Sequence, residues 1–431
     1  VAVCVRGGAR RGARRSGTST ARYAPARGTR SQHQRASTSG AALKGRRHWL
    51  LASVSPWPAA FMGNGPSSSA AASETADAPT FAAFEDASVV IAGQRVPVAL
   101  WYPQTPSGSP GAGGEATYPY KISVAKIARV LLRLGFPLPN LLDRELQVRA
   151  RPGVRGVESG GEGFPSSRGA VLCHGYLGSR FDLVDYAEGL AEAGFVVAAP
   201  EFAESLSNPD VMPGNMAPAG ASASRQDILD AAIGDLLDKR FGLKRRDIAL
   251  VGHSAGSGTV ALTPGTFTAR VCIAGFREPD PGSDVRKDPL LVIASKGDNV
   301  ISLYPRTGGR FGPSDGIVAA VASLGAGVAE IDGASAAALQ RLAENPPPAK
   351  AFVKYGSEND DDDKAVPCHI SFLSSRTNDG MVEVLRPLLP LARFLNIPLL
   401  DFDVYEETRD SDQVAQSLVP AVVAWLVALR K

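Results

Sequence analysis

The sequence predicts an α/β fold, a mostly parallel central sheet of about eight strands flanked by helices, and three observations carry that prediction. From Arg168 onward, short apolar runs alternate with segments of helical period, the pattern of parallel strands joined by right-handed crossovers. A G-x-S-x-G turn, Gly252-His-Ser254-Ala-Gly256, sits between one such strand and one such helix. An early hairpin pattern, Ser88 to Tyr102, suits the antiparallel edge of such a sheet.

Residues 1–78 stand apart in composition. The first 73 residues hold eleven Arg and one Lys, and the first acid is Glu74. Rich in Ser, Ala, Gly and Thr and without a lasting apolar period, this stretch reads as an organelle transit peptide, for a plastid before a mitochondrion; the alternative is a disordered basic tail. Within it, Arg46-Arg47-His-Trp-Leu-Leu51 and the apolar residues up to Phe61 resemble a twin-arginine signal, interrupted by Pro56 and Pro58. Residues 79–431 then read as one α/β domain, with insertions at about 104–167 and 301–348. Of the 46 basic residues, 34 fall after Ser73 against all 43 acidic ones, so the folded body is acidic and argues against a nucleic-acid surface. Four cysteines, Cys4, Cys173, Cys272 and Cys368, lack metal-site spacing and a disulfide framework, so buried free thiols are expected.

In chain order, two strands meet at Gly93-Gln94 and Pro103 closes the second. Residues 104–116 read as loop. Val124, Ile127, Val130, Leu131 and Leu134 recur at helical spacing with Lys126, Arg129 and Arg133 on the other face. That pattern predicts a helix packed on the body with a solvated basic face; the alternative is a lid or membrane-touching helix. Residues 152–168 are Gly-rich and read as exposed. The strand from Arg168 runs into His174-Gly175. An amphipathic helix over 181–193, a strand over 195–199 and a Pro/Gly/Ser-rich loop over 200–223 follow. Ser224 with Asp227 resembles a capping box opening a helix whose Ile228, Leu229, Ala232, Ile233, Leu236 and Leu237 share one face. Strands at 247–251, 270–274 and 290–294 come next. Between 317 and 342 one or two helices are expected, then a strand at 350–354. The run Glu358 to Asp363 is a solvated charge cluster without the alternating ligand spacing of a calcium loop. Helices over 381–395 and 414–429 close the chain; the last carries Pro420 and is too short for a membrane span.

The chemistry centres on Ser254. Small residues on both sides of a strained strand-to-helix turn let the hydroxyl project clear of the sheet. A serine hydroxyl is a poor nucleophile until a base takes its proton, and the chain has five histidines. His33 and His48 lie in the tail, His174 braces the turn after its strand, and His253 is held beside the elbow. His369, in Val366-Pro-Cys-His-Ile-Ser-Phe372, is therefore the expected base. The orienting acid belongs after a strand between serine and histidine. Asp298 fits that position, with Asp280 and Asp284 after the preceding strand as rivals.

Ser-Asp-His in that order, an upstream His-Gly turn and the Gly-His-Ser-Ala-Gly elbow resemble the α/β-hydrolase superfamily over roughly residues 85–430. The hairpin ending in Leu-Trp-Tyr-Pro103, the Leu-Cys-His-Gly-Tyr176 turn, the Phe-Val-Val-Ala-Ala-Pro200 strand and the late His369-Ile-Ser-Phe look like one branch of it. That branch includes platelet-activating-factor acetylhydrolases, dienelactone-hydrolase-like esterases and chlorophyllases. The resemblance implies a serine esterase with a Ser254–His369–Asp298 triad and an oxyanion hole formed by the amides of Tyr176 and Ala255. It implies no metal or organic cofactor, a small-molecule or lipid ester as substrate, no nucleic-acid partner, and no stable membrane span, with peripheral membrane contact as an option. A plastid lipid or chlorophyll-type ester hydrolase is the alternative within enzymes. A hydrolase fold that serves as a binding protein without catalysis is the alternative of another class.

Overall fold

The computed structural model describes residues 81–104, 114–131, 139, 143–157, 166–207, 223–305, 313–344, 349–358, 366–394 and 400–429. The expected targeting segment lies outside these residues, as do Arg133 and most of the acidic run 358–363.

Strands built almost wholly of Val, Ile, Leu and Ala hide both faces, which is what the middle of a parallel sheet requires. β6 (Gly169–Cys173), β7 (Val196–Pro200), β8 (Ile248–His253), β9 (Ala269–Ile273) and β10 (Leu290–Ser295) are buried at every position. With β1 (Phe81–Ile91), β2 (Gln94–Gln104), β5 (Val154–Gly156), β11 (Val328–Asp332) and β12 (Lys350–Tyr355) they form one sheet in the order β11-β12-β10-β9-β8-β6-β7-β2-β1-β5. β2 runs antiparallel to β1 and β7, and the other pairings are parallel. β3 (Thr117–Ile122) and β4 (Arg144–Arg149) pair as a separate antiparallel ribbon.

The period of two along each strand divides the apolar side chains between two cores. Ala170, Leu172, Ala249 and Val251 face one, with α1 (Val124–Leu131), α2 (Val184–Glu192), α7 (Ala336–Glu344), α8 (Ser375–Leu385) and α10 (Ser411–Ala428). Val171, Cys173, Ile248 and Leu250 face the other, with α3 (Arg225–Ala231), α5 (Ala255–Leu262) and α6 (Gly316–Ala322). α3 continues through a π-helical turn, Ala232–Asp238, into the short α4 (Lys239–Phe241), and α9 (Leu389–Phe394) follows α8. Ser224 caps α3 as expected, its hydroxyl accepting from the Asp227 amide while Asp227 accepts from the Ser224 amide.

Several expectations change. The main sheet has ten strands, not about eight, because β5 and β11 add an edge each. β5 spans three residues, too few for a visible alternation, yet Val154 within the supposedly exposed 152–168 stretch is fully buried. The first insertion contains the β3/β4 ribbon, whose buried Tyr118, Tyr120 and Ile122 alternate with more exposed Thr117, Pro119 and Lys121. Lys126 departs from the expected solvated face of α1: Val124, Ala125, Lys126 and Ile127 are all buried, and Lys126 turns its ammonium inward to the Ala203 carbonyl at 2.9 Å; Arg129 is half-buried, and Arg133 lies outside the described residues. The insertion after β10 holds two helices, as expected, with β11 between them. Among the described residues no helix is long and apolar enough to cross a membrane.

Candidate active site

β8 delivers Ser254 at its carboxyl end, and α5 starts one residue later. Ser254 sits at φ 55°, ψ −118°, a region that a residue with a Cβ enters only under strain of about 1–3 kcal/mol. The surroundings impose that conformation. A Cβ on Gly256 would lie 1.9 Å from the Cys173 carbonyl oxygen, and one on Gly252 would lie 2.4 Å from the Gly256 carbonyl carbon, so the elbow closes only with glycine at both places.

The loop after β10 holds Asp298, and the loop after β12 ends in the 3-10 turn His369–Phe372. One Asp298 oxygen accepts the amides of Val300 and Ile301 at 2.8 and 2.7 Å, which aims the other at His369 Nδ1, 2.8 Å away. Nδ1 therefore carries the proton it donates to the carboxylate, and Nε2 presents a lone pair to the Ser254 hydroxyl at 2.9 Å. Burial alone would lower the His369 pKa, but the charge and hydrogen bond of Asp298, with Asp401 adding to them, raise it above the ordinary histidine value. Asp280 and Asp284 are exposed, and Asp284 pairs with Lys287. Neither is a hydrogen-bond partner of His369, so Asp298 alone of the three candidates meets the imidazole.

Sequence reasoning missed one participant. Asp401, more than a hundred residues beyond the Asp298 loop, accepts the amides of Asn299 and His369 on one oxygen, both at 3.0 Å, tying that loop to His369. It is 5% exposed and reaches this position through two consecutive non-glycine residues at positive φ, Leu400 and Asp401. Burial, then the charge of Asp298, pushes its pKa up. Bonds to backbone amides leave no signature in spacing, so nothing in the sequence pointed to it.

His253 does more than stand beside the elbow. Its Nε2 donates to the His369 carbonyl at 2.9 Å. His174 braces its turn as expected: the Phe202 amide donates to Nε2 at 2.9 Å, which leaves Nδ1 to donate to the Gly175 carbonyl at 2.8 Å. Tyr176 follows in that turn with 39% of its surface exposed, and Ala255 opens α5, where the first amides have no intrahelical acceptor. Cys173, Cys272 and Cys368 are buried free thiols, and Cys4 lies outside the described residues. Among the described residues no cluster of His, Cys, Asp and Glu is arranged to hold a metal ion.

A mostly parallel sheet with an antiparallel edge, a strained serine at the end of β8, and an acid and a histidine on later loops define an α/β hydrolase. The chain belongs to the alpha/beta hydrolase family, whose model matches residues 170–424. No curated protein matches it. Among solved structures it is similar to a ferulic acid esterase from Streptomyces cinnamoneus, at 21% identity over 52% of this chain and 67% of that one, with a TM-score of 0.30. A cold-adapted esterase from an Arctic intertidal metagenomic library aligns at 14% identity over 70% of this chain and 90% of that one, also at 0.30. An epoxide hydrolase from Vigna radiata aligns at 13% over 46% and 43%, at 0.22. Likeness at these levels carries no argument about the reaction.

Proposed function

We propose that the protein is a serine-dependent carboxylic ester hydrolase. The observation that supports this reading is the unbroken hydrogen-bonded series from Asp298 through His369 to Ser254, at 2.8 and 2.9 Å, on three loops at the same end of the sheet. Ser254 Oγ attacks the ester carbonyl carbon while its proton passes to His369 Nε2. The imidazolium is held by Asp298, and the carbonyl oxygen, now negative, is met by the amides of Tyr176 and Ala255. The intermediate collapses as His369 returns the proton to the leaving alcohol. Water then enters, gives a proton to the same nitrogen as it adds to the acyl carbon, and the second intermediate collapses by breaking the bond to Ser254 Oγ, which takes that proton back as the acid leaves. Asp298, His369 and Ser254 are already in hydrogen-bonding contact, which limits the reorganisation these three side chains need during the proton transfers.

The reading is tested with Ser254→Ala against a series of soluble esters. Turnover should fall by about four orders of magnitude or more, and labelling by a fluorophosphonate should vanish. Hydrolysis retained near the wild-type rate would mean that the reaction belongs to another site.

A further inference from the structure

The oxyanion turn is held from behind by a cation that the triad does not use. Arg225, the first residue of α3, reaches across to His174-Gly175. Its two terminal nitrogens donate to the His174 carbonyl at 3.0 Å each, and one also reaches the Gly175 carbonyl at 3.3 Å. The other reaches the Thr259 hydroxyl on α5 at 3.3 Å. Glu204 fixes the near end of the guanidinium at 2.6 Å, and the Phe202 ring lies 4.2 Å beneath it. One planar group thus joins the oxyanion turn, the helix after Ser254 and the segment after β7.

The Gly175 carbonyl receives donors from Arg225, from His174 Nδ1 at 2.8 Å and from the Gly178 amide at 3.2 Å. That carbonyl and the Tyr176 N–H belong to one peptide unit, which is planar, and in the trans form the two groups point in opposite directions. Fixing the oxygen on one side therefore fixes the N–H on the other. Donation to the oxygen also polarises the peptide and strengthens its N–H as a donor. We propose that Arg225 is a positioning residue for the oxyanion hole, acting through the Gly175–Tyr176 peptide. The inference rests on the serine esterase reading, in which the Tyr176 amide faces the developing oxyanion.

The test compares Arg225→Gln and Arg225→Lys with the wild type, per folded molecule, on one soluble ester and on a trifluoromethyl ketone analogue of it. Ser254 Oγ adds to the ketone carbon, the serine proton passes to His369, and the former carbonyl oxygen becomes an oxyanion in the same hole. In Arg225→Gln, kcat should fall about ten- to a hundredfold, toward the cost of losing one oxyanion donor, while KM moves less than about twofold. The inhibition constant of the ketone should rise by the same factor as kcat falls, and Arg225→Lys should lie between. A residue that only supported the fold would lower thermal stability and leave both constants of the folded enzyme in place. Unchanged kcat and ketone affinity in the folded variants overturn the proposal, and so does failure of both variants to fold. Ser254→Ala run alongside separates the two ideas: if it retains full turnover, the esterase reading itself has failed.

Discussion

Two buried imidazoles lie 4.9 Å apart, His253 at the end of β8 and His369 in the loop after β12, each 3% exposed. Burial acts on both in the same direction, against the charged form. Yet His253 is pushed down to about 3, by burial first and the neighbouring His369 second, while His369 is raised. The difference is what faces Nδ1. In His369 it is the Asp298 carboxylate; in His253, among the described residues, no hydrogen-bonding partner faces Nδ1, and the ring's bond is to a backbone carbonyl through Nε2. One ring is thus prepared to take a proton and the other stays neutral. A buried histidine becomes a base through the anion placed behind it rather than through depth.

The largest expected way to break that contrast is Asp298→Asn. The amide keeps the shape but removes the charge and the preference for the Nδ1–H tautomer, so kcat should fall by about 10²- to 10⁴-fold. The pH dependence has a definite sign. In the proposed mechanism neutral His369 accepts the serine proton, so kcat/KM should rise with pH through the His369 pKa. Asp298 raises that pKa, so its loss should move the acid limb to lower pH. A limb that stays in place or moves upward would show that another anion sets it. Asp280→Asn, an exposed change, should alter the rate by less than about twofold, and a larger loss there would transfer the acid role to the earlier loop.

Asp401 sharpens the same contrast at intermediate size. Asp401→Ala releases two amides, those of Asn299 and His369, and lets the acid loop and the base drift relative to each other. Small displacements of a catalytic group are costly, so kcat should fall by about tenfold. Asp401→Asn should recover most of it, because an amide oxygen still accepts both N–H groups. Equal losses in the two variants would mean that the charge of Asp401, and not its hydrogen bonds, supports His369.

These residues also show which parts of the site are legible in a sequence. Ser254 could be read because an elbow demands glycines at fixed offsets, and His369 because a serine base must be one of five histidines. Asp298 could be preferred for its place after β10, but Asp280 and Asp284 after β9 stayed rivals, since the choice depends on which loop brings a carboxylate to the imidazole. The central strands were legible as apolar runs. The edge strand β5 was not, being too short to display a period, nor was β3 of the separate ribbon, which carries a proline. Lys126 misled for a different reason. Helical spacing marks a face but not its surroundings, and here the segment after β7 meets the side chain that a cation normally keeps in water. Asp401 and Arg225 act on backbone atoms, which every residue shares, so no residue type at any spacing announces them.

The smallest effect belongs to the neutral ring. His253→Phe preserves a buried aromatic volume but removes the donor to the His369 carbonyl, leaving a buried acceptor unsatisfied at a cost of about 1–3 kcal/mol in stability. Because His253 is uncharged wherever His369 titrates, its removal takes no charge from the site, and the acid limb of kcat/KM should stay where it is. The rate should fall by only a few fold, through a slightly freer His369 backbone. Denaturant unfolding and a pH–rate profile measured on the same preparation separate the two quantities. If the limb instead shifted while stability held, His253 would carry a proton in the working enzyme, and the contrast between the two rings would be one of degree.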